Sequence, residues 1–380
     1  MMDKIKEIVF LILTLLIFLP VKSEAKIINA TSGSSKDVRT AVNAATAGDT
    51  VMVPAGQFSF DESVKISAGL TILGAGIDKT ILQKSTSSTK FMFDVDGSNG
   101  RRITIGGITF IGVDSGTSDS GIKLNNGCKN FRIFNCTFKK FNRSGITIRG
   151  NANGVIDHCS FIDNYLRGYG YGVEVYGSGD ENWNRPLTLG TENSIFVEDS
   201  YFTGNRHCIA SNNGSRYVFR YNQIVDNRED AAAIDAHGLS SWPRGSRSYE
   251  IYENVIDNSI KRWAGIGIRG GDGVIFNNVM VRGITNPIIL WNDGGNNCYP
   301  CKDQIRELYI WNNTYQGSPA TVDFWQGGEQ VIKENREYFL TSRPDYTPFT
   351  YPHPLVTGEI NNGGDVQSPS PPQNLRVEQD

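Results

Sequence analysis

Seven short segments alternate apolar and polar residues with period two: Gly121-Ile-Lys-Leu-Asn125, Gly145-Ile-Thr-Ile-Arg149, Gly172-Val-Glu-Val-Tyr176, Cys208-Ile-Ala-Ser-Asn212, Ala233-Ile-Asp-Ala-His237, Gly265-Ile-Gly-Ile-Arg269 and Pro287-Ile-Ile-Leu-Trp291. Alternation of that kind predicts strands with one buried face. The inward set is Ile122, Leu124, Ile146, Ile148, Val173, Val175, Ile209, Ile234, Ile266, Ile268, Ile288 and Leu290. A second pattern follows each strand, centred on Cys136, Cys159, Ser200, Asn222, Asn254, Asn278 and Asn313. The shortest spacings between these centres, such as Asn254 to Asn278, are one turn of a solenoid, and the longer ones are a turn plus an inserted loop. Each turn then needs three short strands and tight bends. Asn suits a recurring bend, because it tolerates the left-handed backbone and its amide both donates and accepts to its copy in the next turn. Stacked Asn222, Asn254 and Asn278 therefore predict an asparagine ladder, with Cys136 and Cys159 inside at the equivalent positions.

Upstream of the repeats, residues 35–46 place Val38, Ala41, Val42 and Ala45 on one face of a short helix, which caps the open end of a coil stack. Next comes Gly48-Asp49-Thr50, an apolar run from Val51 to Val53, and Gly56. With the ladder, this lead-in resembles the pectate-lyase-like proteins over residues 26–316. The resemblance implies an all-β, right-handed parallel β-helix with an N-terminal capping helix. Residues 329–355 are rich in aromatics and Pro and are expected to pack along the outside or cap the last coil; together residues 26–355 make one domain. Residues 356–380 read as a linker and the start of a fibronectin III-like strand.

Lys4 and Lys6 precede an apolar run from Ile8 to Leu19, too short for a comfortable span, and Ser23-Glu24-Ala25 offers a cleavage site. Residues 1–25 are therefore expected to be a signal peptide. The mature chain is expected to be a secreted, periplasmic or cell-surface monomer with no stable membrane span. The net charge of −3, with both signs interspersed, gives no basic stripe for nucleic acid. In an exported chain the Cys298-Tyr-Pro-Cys301 pair is read as a local disulfide rather than a zinc half-site.

Candidate chemistry falls on the outward side of the alternating strands, where stacking in register makes two columns. One runs Lys123, Thr147, Glu174, Ala210, Asp235, Gly267, Ile289; the other runs Asn125, Arg149, Tyr176, Asn212, His237, Arg269, Trp291. Loops bearing Trp183, Trp242 and Tyr299 flank this face and wall a groove for a polysaccharide. Asp235-Ala-His237 puts an acid and an imidazole on one side of a strand, which suits an oriented base. It partly resembles the Asp-Pro-His motif of mannuronan C5-epimerases, with Ala236 in place of Pro.

The leading expectation is a lyase or epimerase on a uronic-acid polymer. His237 and Asp235 act as base, Tyr176 as acid or base, and Arg269 neutralises charge, while Arg149, Asn212, Trp291, Glu174 and His207 bind substrate. A glycoside hydrolase using Glu174 and Asp235 stays open, since two strand spacings put their backbones about 9.6 Å apart. So does a non-catalytic glycan-binding surface protein. Ca²⁺ at that carboxylate pair is a further option, with no other cofactor indicated.

Overall fold

A computed structural model describes residues 24–358 except 68, 86–89, 114–117, 229–230 and 240–241. The leader run and the fibronectin-like strand lie outside the described residues. Among the described residues no helix is long and apolar enough to cross a membrane.

The chain winds as a right-handed parallel β-helix with three strands per coil. The face that matters for function is built from β1 (Ser120–Asn125), β2 (Ser144–Arg149), β3 (Tyr171–Tyr176), β4 (His207–Asn212), β5 (Ala232–Ala236), β6 (Val255–Ile268) and β7 (Val279–Leu290). Each pairs in parallel with the next, with Ile122 opposite Ile146, Val173 opposite Ile209, Ile234 opposite Ile266, and Ile266 opposite Ile288. All twelve predicted inward positions are buried in one continuous core. Phe110, Phe138, Phe161 and Phe202, from a second face, stack ring on ring through the same core with centroids 4.7–5.2 Å apart. Burial of this aliphatic and aromatic column is what holds successive coils in register.

The predicted ladder is present. Asn222 Nδ2 donates to Asn254 Oδ1 at 3.1 Å, Asn254 Nδ2 to Asn278 Oδ1 at 2.9 Å, and Asn278 Nδ2 to Asn313 Oδ1 at 2.8 Å. The reason given for asparagine needs one correction. The left-handed residue is not the ladder asparagine but its predecessor, at Tyr221, Glu253, Asn277 and Asn312, with φ of 52–56°. Asparagine is there for its amide alone. The next bend carries a second ladder that the repeat pattern did not reveal, with Asn164 Nδ2 donating to Asn205 Oδ1 at 2.9 Å and Asn227 N to Asn258 Oδ1 at 2.9 Å.

The capping helix α1 spans Ser35–Ala44, begins where the Ser34 side chain accepts from the Asp37 N–H, and buries Val38, Ala41 and Val42. At the other end Val331, Ile332 and Tyr338 close the core. The segment that follows runs back along the outside, where Tyr346, Phe349 and Leu355 cover Val155, Phe196, Val218, Tyr252 and Phe276. It is pinned by buried Arg220, which donates to Glu198, Tyr252 Oη and the carbonyls of Phe349 and Thr350. Cys298 and Cys301 form a disulfide, and Cys128, Cys136, Cys159 and Cys208 are free and buried.

Candidate functional site

Both outward columns exist as written. Glu174 lies opposite Ala210, Ala210 opposite Asp235, and Asp235 opposite Gly267; Arg149 lies opposite Tyr176 and Tyr176 opposite Asn212. The second column continues by a repeated hydrogen bond, His237 N to Ser211 O, Arg269 N to Ala236 O, and Trp291 N to Ile268 O. Tyr171, Glu174, Tyr176, Ala210, Ser211, Asn212 and His237 line a shallow hollow on this face.

Asp235 sits under that hollow with no exposed surface and three partners. Arg269 grips it through Nε at 3.0 Å and through Nη2, His237 Nε2 is 2.9 Å from Oδ2, and His207 Nε2 is 3.3 Å from it. Burial would raise its pKa, but the Arg269 guanidinium and the two imidazoles outweigh burial and hold the carboxyl well below the usual range. An ionised Asp235 keeps the His237 proton on Nε2. His237 Nδ1, on a ring one-fifth exposed, has no hydrogen-bond partner among the described residues. A buried carboxylate holding one ring nitrogen while the other is left unpaired is the geometry a general base requires.

Across the hollow, Tyr176 Oη donates to Glu174 Oε1 at 2.7 Å, and Arg143 forks onto both Glu174 oxygens at 2.8 Å each. Burial, then the Glu174 charge, push the Tyr176 pKa up, so the phenol keeps its proton. Between the two stands Asn212, whose Oδ1 accepts from Asn213 N and whose Nδ2 has no protein acceptor among the described residues. Arg149 lies over the rings of Tyr176 and Trp242, 5.3 and 5.9 Å from their centroids, without a carboxylate partner among the described residues.

Several expected roles are not available in this geometry. Arg269 cannot neutralise a substrate carboxylate, because its fork is spent on Asp235 and its remaining Nη1 lies 3.7 Å from Asp293. Trp291 is no platform, being only 5% exposed, with its indole against the space over Gly267 and Nε1 donating to Asp293. His207 does not reach the groove. It is sealed beneath, donating Nδ1–H to the Ala232 carbonyl and meeting Arg206 Nη1 at Nε2, and burial pushes its pKa down to about 3. Arg269 holds Asp235 ionised, which disfavours the protonated carboxylic acid an inverting hydrolase needs, and both Glu174 oxygens are already engaged by Arg143. Trp183 is covered by Arg244 and Arg247, and Tyr299 points to Glu337, so of the three loop aromatics only Trp242 borders the hollow.

Ca²⁺ does not fit here, since it takes six to eight oxygen ligands and the two carboxylates already face arginines. His207, Asp235 and His237 do bring ligand atoms within 4.8 Å of one another. Arg269 on Asp235 and Arg206 on His207 Nε2 occupy the lone pairs a transition metal would take.

Period-two reading missed Tyr171, Arg143, Arg206 and Asp293. Tyr171 and His207 belong to a third column with Ser120 and Ser144, in register with one another. Pairing passes over Gly121 and Gly145, so strict alternation assigns these residues to the inside when they face out. A sequence signal existed in the recurring small residue at that step.

No curated protein sequence matches this chain. Among solved structures, the PL6-family alginate lyase AlyGC is similar with a TM-score of 0.50 at 14% identity, over 81% of this chain and 41% of that one. An alginate lyase from Paenibacillus sp. str. FPU-7 gives 0.47 at 14% identity over 80% of this chain and 98% of that one. ORF18 of Geobacillus virus E2 gives 0.48 at 13% identity over 79% and 58%. The chain thus spans under two thirds of the viral protein and of AlyGC, and at these identities the likeness is one of fold. A family model described as right handed beta helix region matches residues 93–303, more than half of the sequence, and in agreement with the coil-by-coil register the chain belongs to that family.

Proposed function

We propose that this protein is an exported polysaccharide lyase or C5-epimerase acting on a uronic-acid polymer, with His237 as the base. The observation that carries the reading is the His237 Nδ1 lone pair on the rim of the hollow, fixed by an ionised Asp235 beneath it. Alginate lyases among the similar folds are consistent with an acidic glycan, and the leader-like residues 1–25 are consistent with export.

His237 Nδ1 takes the C5 proton of a uronate. The carboxylate beside C5 then carries the developing enediolate charge, and Asn212 Nδ2–H, standing between His237 and Tyr176 in the column, donates to it. In a lyase the C5–H electron pair becomes the C4=C5 bond, the C4–O bond breaks, and the leaving oxygen takes the Tyr176 proton. In an epimerase the glycosidic bond stays and Tyr176 returns a proton to C5 from the opposite side. Either way Tyr176 must hold a proton at neutral pH, and its raised pKa fits that task. Arg149, three strand spacings from His237 on the other side, holds the carboxylate of a sugar further along the chain by a bidentate fork.

The test is incubation with a panel of polyuronates, following the ultraviolet absorbance of the unsaturated product and C5 inversion by NMR. Unsaturation selects the lyase, and inversion without chain cleavage the epimerase. New reducing ends without unsaturation would sink the proposal in favour of hydrolysis, and binding without turnover would leave a glycan-binding protein.

A further inference from the structure

The column that carries His237 does not stop at Trp291. Phe324 pairs with Leu290, and Trp325 N donates to Leu290 O, the bond that Trp291, Arg269 and His237 each make one coil earlier. Trp325 is therefore the next member of the same column, three coils beyond His237, about 14 Å along the stack. It is 45% exposed, among the larger exposures of any aromatic ring in the described chain. Trp263, half-buried within β6, meets Trp325 at 5.5 Å and Trp291 at 5.6 Å between centroids, both edge to face. Trp291 is the buried footing of this cluster, packed with Ala232, Ala264 and Ile289 on the outer side of the sheet.

An exposed indole just past the strand Val322–Phe324, set against Trp263, which in turn rests on Trp291, needs a reason. Burying Trp325 would gain what any large aromatic gains, and leaving it out costs that gain. The faces of sugar rings carry C–H groups that stack on indoles, and Trp combines large contact area with few rotatable bonds.

We propose that Trp263 and Trp325 form a distal glycan subsite, in which pyranose rings of the bound chain stack several sugars away from the ring at His237. The proposal rests on the polysaccharide reading of the hollow and extends it to chain length. A polymer running along the column from the hollow reaches the indoles, while a short oligomer seated at His237 does not. The subsite therefore selects long chains.

The test uses the full protein and its Trp263→Ala/Trp325→Ala variant, with Trp325→Phe as a milder change that keeps a ring. Affinity gel electrophoresis is run with alginate, polygalacturonate and a neutral β-glucan in the gel, and turnover is measured on oligouronates of increasing length. The expected result is retardation of the wild type by at least one polymer, weakened about tenfold in the double variant and largely kept in Trp325→Phe. On oligomers, KM rises for long chains only and kcat holds. A double variant retarded as strongly as the wild type, or a wild type retarded by none of the polymers, overturns the subsite. So does a loss that is equal at every chain length. The two readings fail separately. Retardation that depends on the indoles without turnover of any uronan keeps the subsite and removes the lyase or epimerase, whereas turnover with retardation indifferent to the indoles does the reverse.

Discussion

Replacing Asn254 by Leu tests the solenoid at its most connected polar residue. Asn254 has no exposed surface, and its Nδ2 donates to Phe219 O at 2.8 Å, Tyr252 O at 3.0 Å and Asn278 Oδ1 at 2.9 Å. Its Oδ1 accepts from Asn222 N at 3.0 Å and Asn222 Nδ2 at 3.1 Å. Leucine has the same branched shape and is somewhat larger, so no cavity forms and the main cost is one of unmade hydrogen bonds. Asn222 Nδ2 keeps Val197 O, but Asn222 N–H keeps no acceptor among the described residues, and a buried orphan of that kind costs about 1 to 3 kcal/mol. Two carbonyls each lose one donor as well, while added apolar burial offsets part of this. The net loss is about 3 kcal/mol, or about 4 °C of melting temperature for a fold of this size. Circular dichroism melts at a fixed scan rate read the shift. Hydrogen exchange should localise it to the coils around Phe219 and Tyr252, since each coil touches only its neighbours. A variant melting within about 1 °C of the wild type would mean the ladder amides are not what satisfies these backbone groups.

His237→Ala should lower turnover by about two to four orders of magnitude while leaving polymer binding and the melting temperature in place. Equal activity moves the base elsewhere. Arg269→Lys should lose both activity and stability, because an ammonium cannot fork onto buried Asp235, and an unchanged melting temperature refutes that clamp. Glu250 is buried, accepts from Gly190 N and Tyr346 Oη, and burial raises its pKa from 4.5 to about 6 despite Arg220 and Arg343 nearby. Folding therefore holds its proton more tightly than the unfolded chain does, so its contribution is complete below pH 4.5 and lost as pH rises through about 6, amounting to about 2 kcal/mol. Glu250→Gln should flatten the stability profile across that window, and a profile identical to the wild type contradicts the assignment. The four free thiols should resist a thiol reagent in the native protein and react on unfolding, as burial pushes Cys128 up to about 12 and Cys159 and Cys208 up as well. Rapid native labelling of Cys136 or Cys159 would break the register.

The alternation of Ile146, Ile148, Val173 and Val175, and the recurrence of Asn222, Asn254 and Asn278, were enough to set the coil, the buried side of each strand and the outward columns, because strand periodicity and stacking are local rules repeated. The same rules brought Asp235, His237, Asn212 and Tyr176 to one face. What they could not decide is which outward groups remain free. Arg269 and Arg149 share a column and a chemistry, yet one is consumed by Asp235 and the other stacks without an acid partner among the described residues. Trp291 and Trp325 share a column too, and differ only because Ala232, Ala264 and Ile289 cluster around the first and not the second. Side-chain pairing depends on neighbours one coil away, from residues such as Arg143 and Arg206 at bends where the period-two rule lapses. Packing across coils therefore selects, from a column the sequence had written, the few groups left to meet a ligand.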